Sequence, residues 1–413
     1  MRLMLVIGSV ILLSTCTTAA DNWPQFRGPA GDGVAVGTGY PTTWSEKENI
    51  LWKTPIHDKG WSSPVIWGEQ IWLTTAKEDG AELFAVCLDR ASGKVLQDIK
   101  LFTVKNPPDL KKYNSFATPT PVIEAGRVFV HFGSFGTVCI DTKTAEILWT
   151  RDDLKCDHYR LPASSPILFE NKLHLTFDGY DQQYVVALHA DTGKTAWRKD
   201  RNIKFKNENG DYKKAFATPS ILVVNGKPQL VSPAAEATIA YNPENGDELW
   251  RISHGGMNEA CRPVLTNGLI ILSSGHTARL LAVKAGRKGE LGKDAIAWEF
   301  TKQGPTKPSV IAFKDHLYFV NDNGVAYCLE TKTGKNVWDD EKIEGAFAAS
   351  PTLAGGLLYF PSENGKTYVL KADPKAEVVS TNKLTDGCRA TPAFADGKIY
   401  LRTFTHLYCI GTK

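Results

Sequence analysis

The chain has 413 residues, 42% hydrophobic and 23% charged, with a formal net charge of +3. That balance belongs to a soluble globular protein, and a near-neutral total gives no support for a nucleic-acid partner, which calls for a strongly basic face. Eleven Trp, 13 Tyr and 18 Phe against three Met favour strands over helices.

Residues 1–20 have the form of a signal peptide. Arg2 is the positive start, Leu3 to Leu13 the apolar run, and Thr18-Ala19-Ala20 a small-residue cleavage site. The run is too short for a membrane span, and no later stretch is long enough. Leu13-Ser14-Thr15-Cys16 is a poor match to a lipidation box because Thr stands beside the Cys, so cleavage before Asp21 is preferred to a lipid anchor at Cys16. Export to the periplasm or the extracellular space follows.

Residues 21–48 are rich in Gly, Pro and aromatics. Trp23, Phe26 and Trp44 need something to pack on, so this segment is expected to be an ordered loop on the body of the protein. Residues 49–56 (NILWKTPI) read as one strand.

From there a unit repeats. Each copy opens with a small residue and Pro, at Pro64, Pro121, Pro166, Pro219, Pro263, Pro308, Pro351 and Pro392, 41 to 57 residues apart. Each continues as apolar strand, Gly or Asn turn and second apolar strand. Most close on a turn of the type Asp191-Thr192-Gly193, followed by a strand carrying one Trp: Trp52, Trp149, Trp197, Trp250, Trp298 and Trp338. Four short strands per unit of this length is the period of a propeller blade. Eight openings predict an all-β, eight-bladed propeller of four-stranded antiparallel blades over residues 49–413.

After Pro392 only three strands fit. The fourth is predicted to be residues 49–56, so that one blade is built from both ends of the chain and the ring has no free edge. Repeats one and seven lack the Trp, and repeat five has an insertion (GRKGELGKDA); these three are expected to be the less regular blades.

Seven Cys follow the leader. Cys87, Cys139, Cys328 and Cys409 hold the same place in their repeats. Sheets packed about 10 Å apart are too far for a disulfide, so these four are expected to be small buried hydrophobes. The pairing of Cys156, Cys261 and Cys388 stays open.

The small-Pro opening, the Ala-x-Asp-x-x-Thr-Gly-Lys-x-x-Trp ending and the eight-fold repetition resemble the pyrroloquinoline quinone (PQQ)-type propeller family. That family contains quinoprotein alcohol and sugar dehydrogenases with PQQ and Ca²⁺ in an axial funnel. It also contains binding propellers such as the lipoprotein of the outer-membrane β-barrel assembly machinery. The resemblance implies the fold for both and does not choose between them. The adjacent Cys pair common in the dehydrogenases is missing here, as is a C-x-x-C-H haem site. No D-x-D-x-D-G loop or His pair specifies a metal, although Asp157, Glu236, Glu259 and Asp386 fall near one face.

The reading preferred from sequence is therefore an exported, monomeric binding or scaffold propeller of the cell envelope, recognising a protein or small anionic ligand at its funnel face. A PQQ/Ca²⁺-dependent dehydrogenase is the alternative. The loops entering the innermost strands place Trp61, Phe116, Arg160, Phe216, Arg262, Lys307, Phe347 and Arg389 around the axis. Bases and flat aromatics in one ring attract anions, so Trp61, Arg160, Arg262, Lys307 and Arg389 are the ligand or partner candidates, with Arg262 and Arg389 foremost. No catalytic residue and no metal ligand is assigned.

Overall fold

The computed structural model describes residues 21–109, 114–338 and 341–412. The expected leader and Cys16 lie outside the described residues.

Eight antiparallel sheets stand around an axis. Blades 1 to 7 follow one another along the chain. Their innermost strands are Val65–Trp67, Val122–Glu124, Ile167–Phe169, Ser220–Val224, Val264–Thr266, Ile311–Phe313 and Thr352–Ala354. Blade 8 runs outward through Ala393–Ala395, Lys398–Arg402 and His406–Ile410, and its outer strand is Ile50–Pro55 from the start of the chain. Trp52 pairs with Cys409 and Thr54 with Leu407. This is the predicted closure: an amphipathic strand that would otherwise be unpaired covers the last open edge.

Each blade's middle strands are buried on both faces, because blades stack face to face. Cys87, Cys139, Cys328 and Cys409 lie on the third strands, buried and free, and Cys156, Cys261 and Cys388 are free and buried as well.

The Trp of the repeat joins neighbouring blades. Its indole N–H donates to a turn carbonyl of the following blade: Trp52 to Arg90, Trp149 to Ala190, Trp197 to Pro243, Trp298 to Thr331 and Trp338 to Asp373, at 2.7 to 3.1 Å. Trp250 departs from the pattern and donates to Gln229 of its own blade. The blade that follows it carries the insertion, whose residues Gly289–Leu291 add a fifth, parallel strand beside Trp250.

Irregularity falls only partly where the missing Trp residues placed it: the outer pairing of blade 1 has two register shifts, at Leu83/Phe84 and Cys87/Leu88, where those of blades 2, 3, 4, 5 and 7 each have one. Blade 1 has the longest outer strand, Val95–Thr103, and that of blade 7, Val378–Lys383, is also long. Blade 6 keeps its Trp, yet Trp338 lies outside the strand Glu341–Lys342. Main-chain pairing with the third strand holds these edges, and the Trp governs contact with the next blade instead.

Residues 21–48 cross the axis where the innermost strands end. Trp23 bridges Ile66 of blade 1, Ile123 of blade 2 donates to the Pro24 carbonyl, Arg27 donates to Val310 of blade 6, and Val34 bridges Leu353 of blade 7. Phe26 is thereby held on the axis between them.

Candidate functional site

The approach to each innermost strand is extended, so alternate side chains face the axis. Two rings result. Counted back from the small residue of the small-Pro step, the lower ring is that residue itself: Ser63, Thr120, Ser165, Thr218, Ser350 and Thr391. The upper ring lies two residues earlier, counted in blade 5 from Arg262 and in blade 6 from Ser309, which follows Pro308: Trp61, Thr118, Ala163, Phe216, Ala260, Lys307, Ala348 and Arg389. Together with Phe26 below, they enclose a cavity of about 440 Å³, open at the face where the chain enters the innermost strands.

The lower ring is stitched from blade to blade. Ser63 N–H donates to the Thr120 hydroxyl, Thr120 N–H to Ser165, and Ser165 N–H to Thr218, at 2.9 to 3.0 Å. On the other side Arg262 N–H donates to Ser309, Ser309 N–H to Ser350 and Ser350 N–H to Thr391, again at 2.9 to 3.0 Å. The small residue of the repeat is thus a hydroxyl because it must accept a main-chain N–H inside a buried collar, where an unpaired donor is costly.

Three cations stand at the mouth. Lys307 Nζ lies 2.8 Å from Asp322, whose carboxylate also accepts from the Thr306 N–H and hydroxyl. Arg389 donates through Nε and a terminal nitrogen to one oxygen of Glu363, at 3.0 and 2.7 Å, and its guanidinium faces the Trp61 ring at 5.5 Å. Arg160 Nε is 3.9 Å from Asp211, too long for a hydrogen bond, and that nitrogen is buried without a partner. Lys214, buried beside Asp211, keeps that carboxyl below its ordinary range through a direct hydrogen bond. Burial, with Arg160 nearby, pushes His276 of the lining below the usual imidazole range. Within the lining the cations outnumber the carboxylates: Arg160, Lys307 and Arg389 against Glu363.

Of the residues expected at the axis, Trp61, Arg160, Phe216, Lys307 and Arg389 line the cavity. Arg262 does not. It takes the lower-ring position of blade 5, where a hydroxyl stands in the other lining blades, and its long side chain drops beneath the collar. There it donates to the Phe26 carbonyl at 2.5 Å, to the Ser220 hydroxyl at 3.1 Å and to Gln25 at 3.3 Å. Burial without a carboxylate partner lowers its pKa to about 9. Its position is that of an anchor for residues 25–31, not of a funnel wall. Phe116 and Phe347 are likewise buried in the blades. Phe116-Ala117-Thr118-Pro119 and Phe216-Ala217-Thr218-Pro219 look alike, but Thr118 belongs to the upper ring and Thr218 to the lower. The two Phe residues therefore sit two positions apart in the architecture.

The four acids also lie apart from the lining. Asp386 accepts from Thr405, Asp157 from the Tyr159 N–H, and Glu236 is 3.7 Å from Lys206. Glu259 is fully buried, and desolvation pushes its pKa well up against the opposing pull of the Gly275 main chain and Arg279. Among the described residues no three His, Cys, Asp or Glu side chains converge as metal ligands would.

Sequence reasoning missed Phe26, Asn114, Asn258, His276, Thr306 and Glu363. His276 and Glu363 come from turns joining second to third strands, which reach the mouth from outside the innermost strand. No spacing within the small-Pro motif reveals them. Asn114 donates to the Arg160 and Leu161 carbonyls at 2.7 and 3.2 Å and so ties two entry loops together.

Comparison with known proteins agrees with this architecture. The chain is 29% identical over 181 residues to the quinoprotein alcohol dehydrogenase PedH of Pseudomonas putida, a match covering 38% of this chain and 28% of that protein. Among solved structures, BamB from Moraxella catarrhalis superposes with a TM-score of 0.61 at 11% identity, covering 87% of this chain and 99% of that one. The quinohemoprotein alcohol dehydrogenase from Comamonas testosteroni gives 0.64 at 10% identity, covering 95% and 81%. Identities this low establish the fold and nothing finer. The family model described as outer membrane protein assembly factor BamB matches residues 42–199, 85–340 and 322–409, and the chain belongs to that family of PQQ-type propellers.

Proposed function

We propose that the chain is an exported, monomeric binding propeller of the cell envelope that takes a protein segment or a small anionic ligand at the mouth of its axial funnel. The observation carrying this reading is the mouth itself. Arg160, Lys307 and Arg389 stand beside Trp61 and Phe216 above a cavity that Phe26 floors, and the lining carboxylate, Glu363, is bound by Arg389. Such a surface attracts anionic groups and gives them flat apolar contact. The name of the matched family, an assembly factor, supports a role in binding. No helix among the described residues is long and apolar enough to cross a membrane.

The likeness to PedH favours a second reading, a quinoprotein dehydrogenase. PQQ with Ca²⁺ asks for several carboxylate and amide oxygens at one point and for a free carboxylate as base. The lining offers Glu363, already engaged by Arg389, Asn114, whose amide oxygen accepts from Ser115 and Thr118, and one unpaired amide oxygen, Asn258 Oδ1, with no free carboxylate among them. That donor set does not fit the group.

The two readings separate in one preparation. The mature chain, incubated with PQQ and Ca²⁺, is expected to show no quinone absorbance and no dye reduction with alcohols or sugars. Pull-down from envelope extracts should recover a partner that Arg160→Glu with Lys307→Glu loses. Turnover with PQQ, or capture indifferent to that charge reversal, overturns the binding reading.

A further inference from the structure

The collar has hydrogen-bonding capacity left over. Thr120, Ser165, Thr218, Ser350 and Thr391 are each at least nine-tenths buried and each accept a main-chain N–H. A hydroxyl has one proton to donate besides its lone pairs, and among the described residues no protein acceptor takes these five. All five line the cavity.

The walls above add to the imbalance. Trp61 Nε1 and Arg160 Nε are donors without partners. Lys307 keeps two ammonium protons beyond its bond to Asp322. On the acceptor side stands Asn258, whose buried Oδ1 is unpaired. A site with this surplus of donors is complementary to a molecule rich in acceptor oxygens and net negative. The enclosed volume of about 440 Å³ falls in the range of organic-ligand sites, roughly 300–1,000 Å³. Phe26, Phe216 and Trp61 supply apolar faces that an inorganic anion would leave unused.

Resting on the binding reading above, we infer that the funnel takes a monosaccharide-sized sugar acid. Its carboxylate would meet Arg160 and Lys307, its ring and hydroxyl oxygens the collar of O–H donors, and its C–H face Trp61 or Phe216. A neutral sugar lacks the group the cations ask for. A planar aromatic acid lacks the oxygens the collar asks for.

The test is calorimetric titration of the mature full chain with D-glucuronate and D-galacturonate, beside D-glucose, inorganic phosphate and pyridine-2,6-dicarboxylate. At least one uronate should bind saturably, at least tenfold more tightly than glucose, phosphate or the dicarboxylate, and more weakly as salt is raised. Arg160→Gln and Lys307→Gln should each lower uronate affinity about tenfold with the Tm of the free protein unchanged. Lys143→Gln, on an exposed turn outside the lining, should leave affinity within a factor of two or three. Glucose or phosphate binding as tightly as the uronate overturns the inference, as does tighter binding of the dicarboxylate or indifference to both cation variants. If no uronate binds while Arg160→Glu with Lys307→Glu still abolishes partner capture, the sugar acid is refuted and the binding face stands.

Discussion

The indole of Trp149, on blade 2, occupies the space that a side chain at Gly193 of blade 3 would fill. A Cβ at Gly193 would lie 2.7 Å from the ring, and the indole N–H donates to the Ala190 carbonyl at 2.7 Å. Trp52 on Gly93, Trp197 on Gly246 and Trp298 on Gly334 repeat the contact. The Gly of the turn is therefore required twice, by its positive φ and by its neighbour.

Gly193→Ala separates these two demands when set beside Gly226→Ala. Both have positive φ, +68° and +75°, but nothing lies within 4 Å of a Cβ at Gly226. The left-handed backbone costs each variant about 1–2 kcal/mol. Overpacking against Trp149 adds about 1–3 kcal/mol at Gly193 alone. Chemical denaturation should show Gly193→Ala the weaker by at least about 1 kcal/mol. Equal losses would mean that the Trp yields freely and that φ is the sole constraint.

Arg262 and Arg389 look alike in sequence, each following a Cys, and should behave oppositely. Arg262→Met strands the Phe26 carbonyl and the Ser220 hydroxyl; hydrogen bonds from a charged group contribute about 1.5–3 kcal/mol. We expect a lower Tm and faster protease cleavage within residues 21–48. Arg389→Met frees Glu363 at the cavity wall and should leave both the Tm and the cleavage pattern close to wild type. An unchanged proteolytic pattern in Arg262→Met would remove the anchoring role.

The difference between these arginines shows what the sequence carries and what it does not. Ring size, blade boundaries and closure by Ile50–Pro55 were legible because they follow from a repeated pattern of apolar strands and turns, which main-chain pairing converts into sheets almost without choice. The cavity was half legible: Trp61 and Arg389 stand two residues before the small residue of the small-Pro step, and alternation along an extended chain turns that spacing into an inward direction, whereas Lys307 directly precedes Pro308, as Arg262 precedes Pro263, and only the collar bonds of Ser309 show it to be in the upper ring. Arg262 occupies a lower-ring position, so spacing alone makes it look like a wall. Only the presence of residues 25–31 beneath it, placed by contacts more than 200 positions away in sequence, decides where its guanidinium goes. Glu363 was invisible for the same reason, because it reaches the mouth from another part of its blade.

The buried pair Asp178–Arg201 gives a third test. Arg201 donates to both carboxylate oxygens, at 2.5 and 2.7 Å, and to the Ser232 hydroxyl, linking blades 3 and 4 with both side chains out of water. Burial raises the Asp178 pKa, and Arg201 opposes that rise. Asp178→Leu alone leaves a desolvated cation and should cost about 3–5 kcal/mol. Asp178→Leu combined with Arg201→Met removes both charges and should recover most of that loss. A double variant as unstable as the sum of the singles would mean zero coupling between the two side chains, and would assign each loss to separate contacts instead of the pair.

Acid should weaken the ring through its buried histidines. Desolvation lowers the pKa of His131 and His174 to about 3 and of His158 and His254 to about 4. In the unfolded chain the same side chains take up protons near pH 6.5. Between these limits the unfolded state binds more protons, so stability is complete above about pH 6.5 and declines as the pH falls toward 4. Each histidine contributes a slope on the order of 1.4 kcal/mol per pH unit while it remains neutral only in the folded state. His174 isolates the effect, since neither ring nitrogen has a hydrogen-bond partner. His174→Leu removes both the unpaired group and its titration. Unfolding free energies measured at pH 7.5 and pH 5 should therefore diverge less for His174→Leu than for wild type, by on the order of 1–2 kcal/mol. Parallel pH profiles for the two proteins would show that His174 gains protons equally in both states, and would leave the acid sensitivity to His131, His158, His254 and the carboxylates.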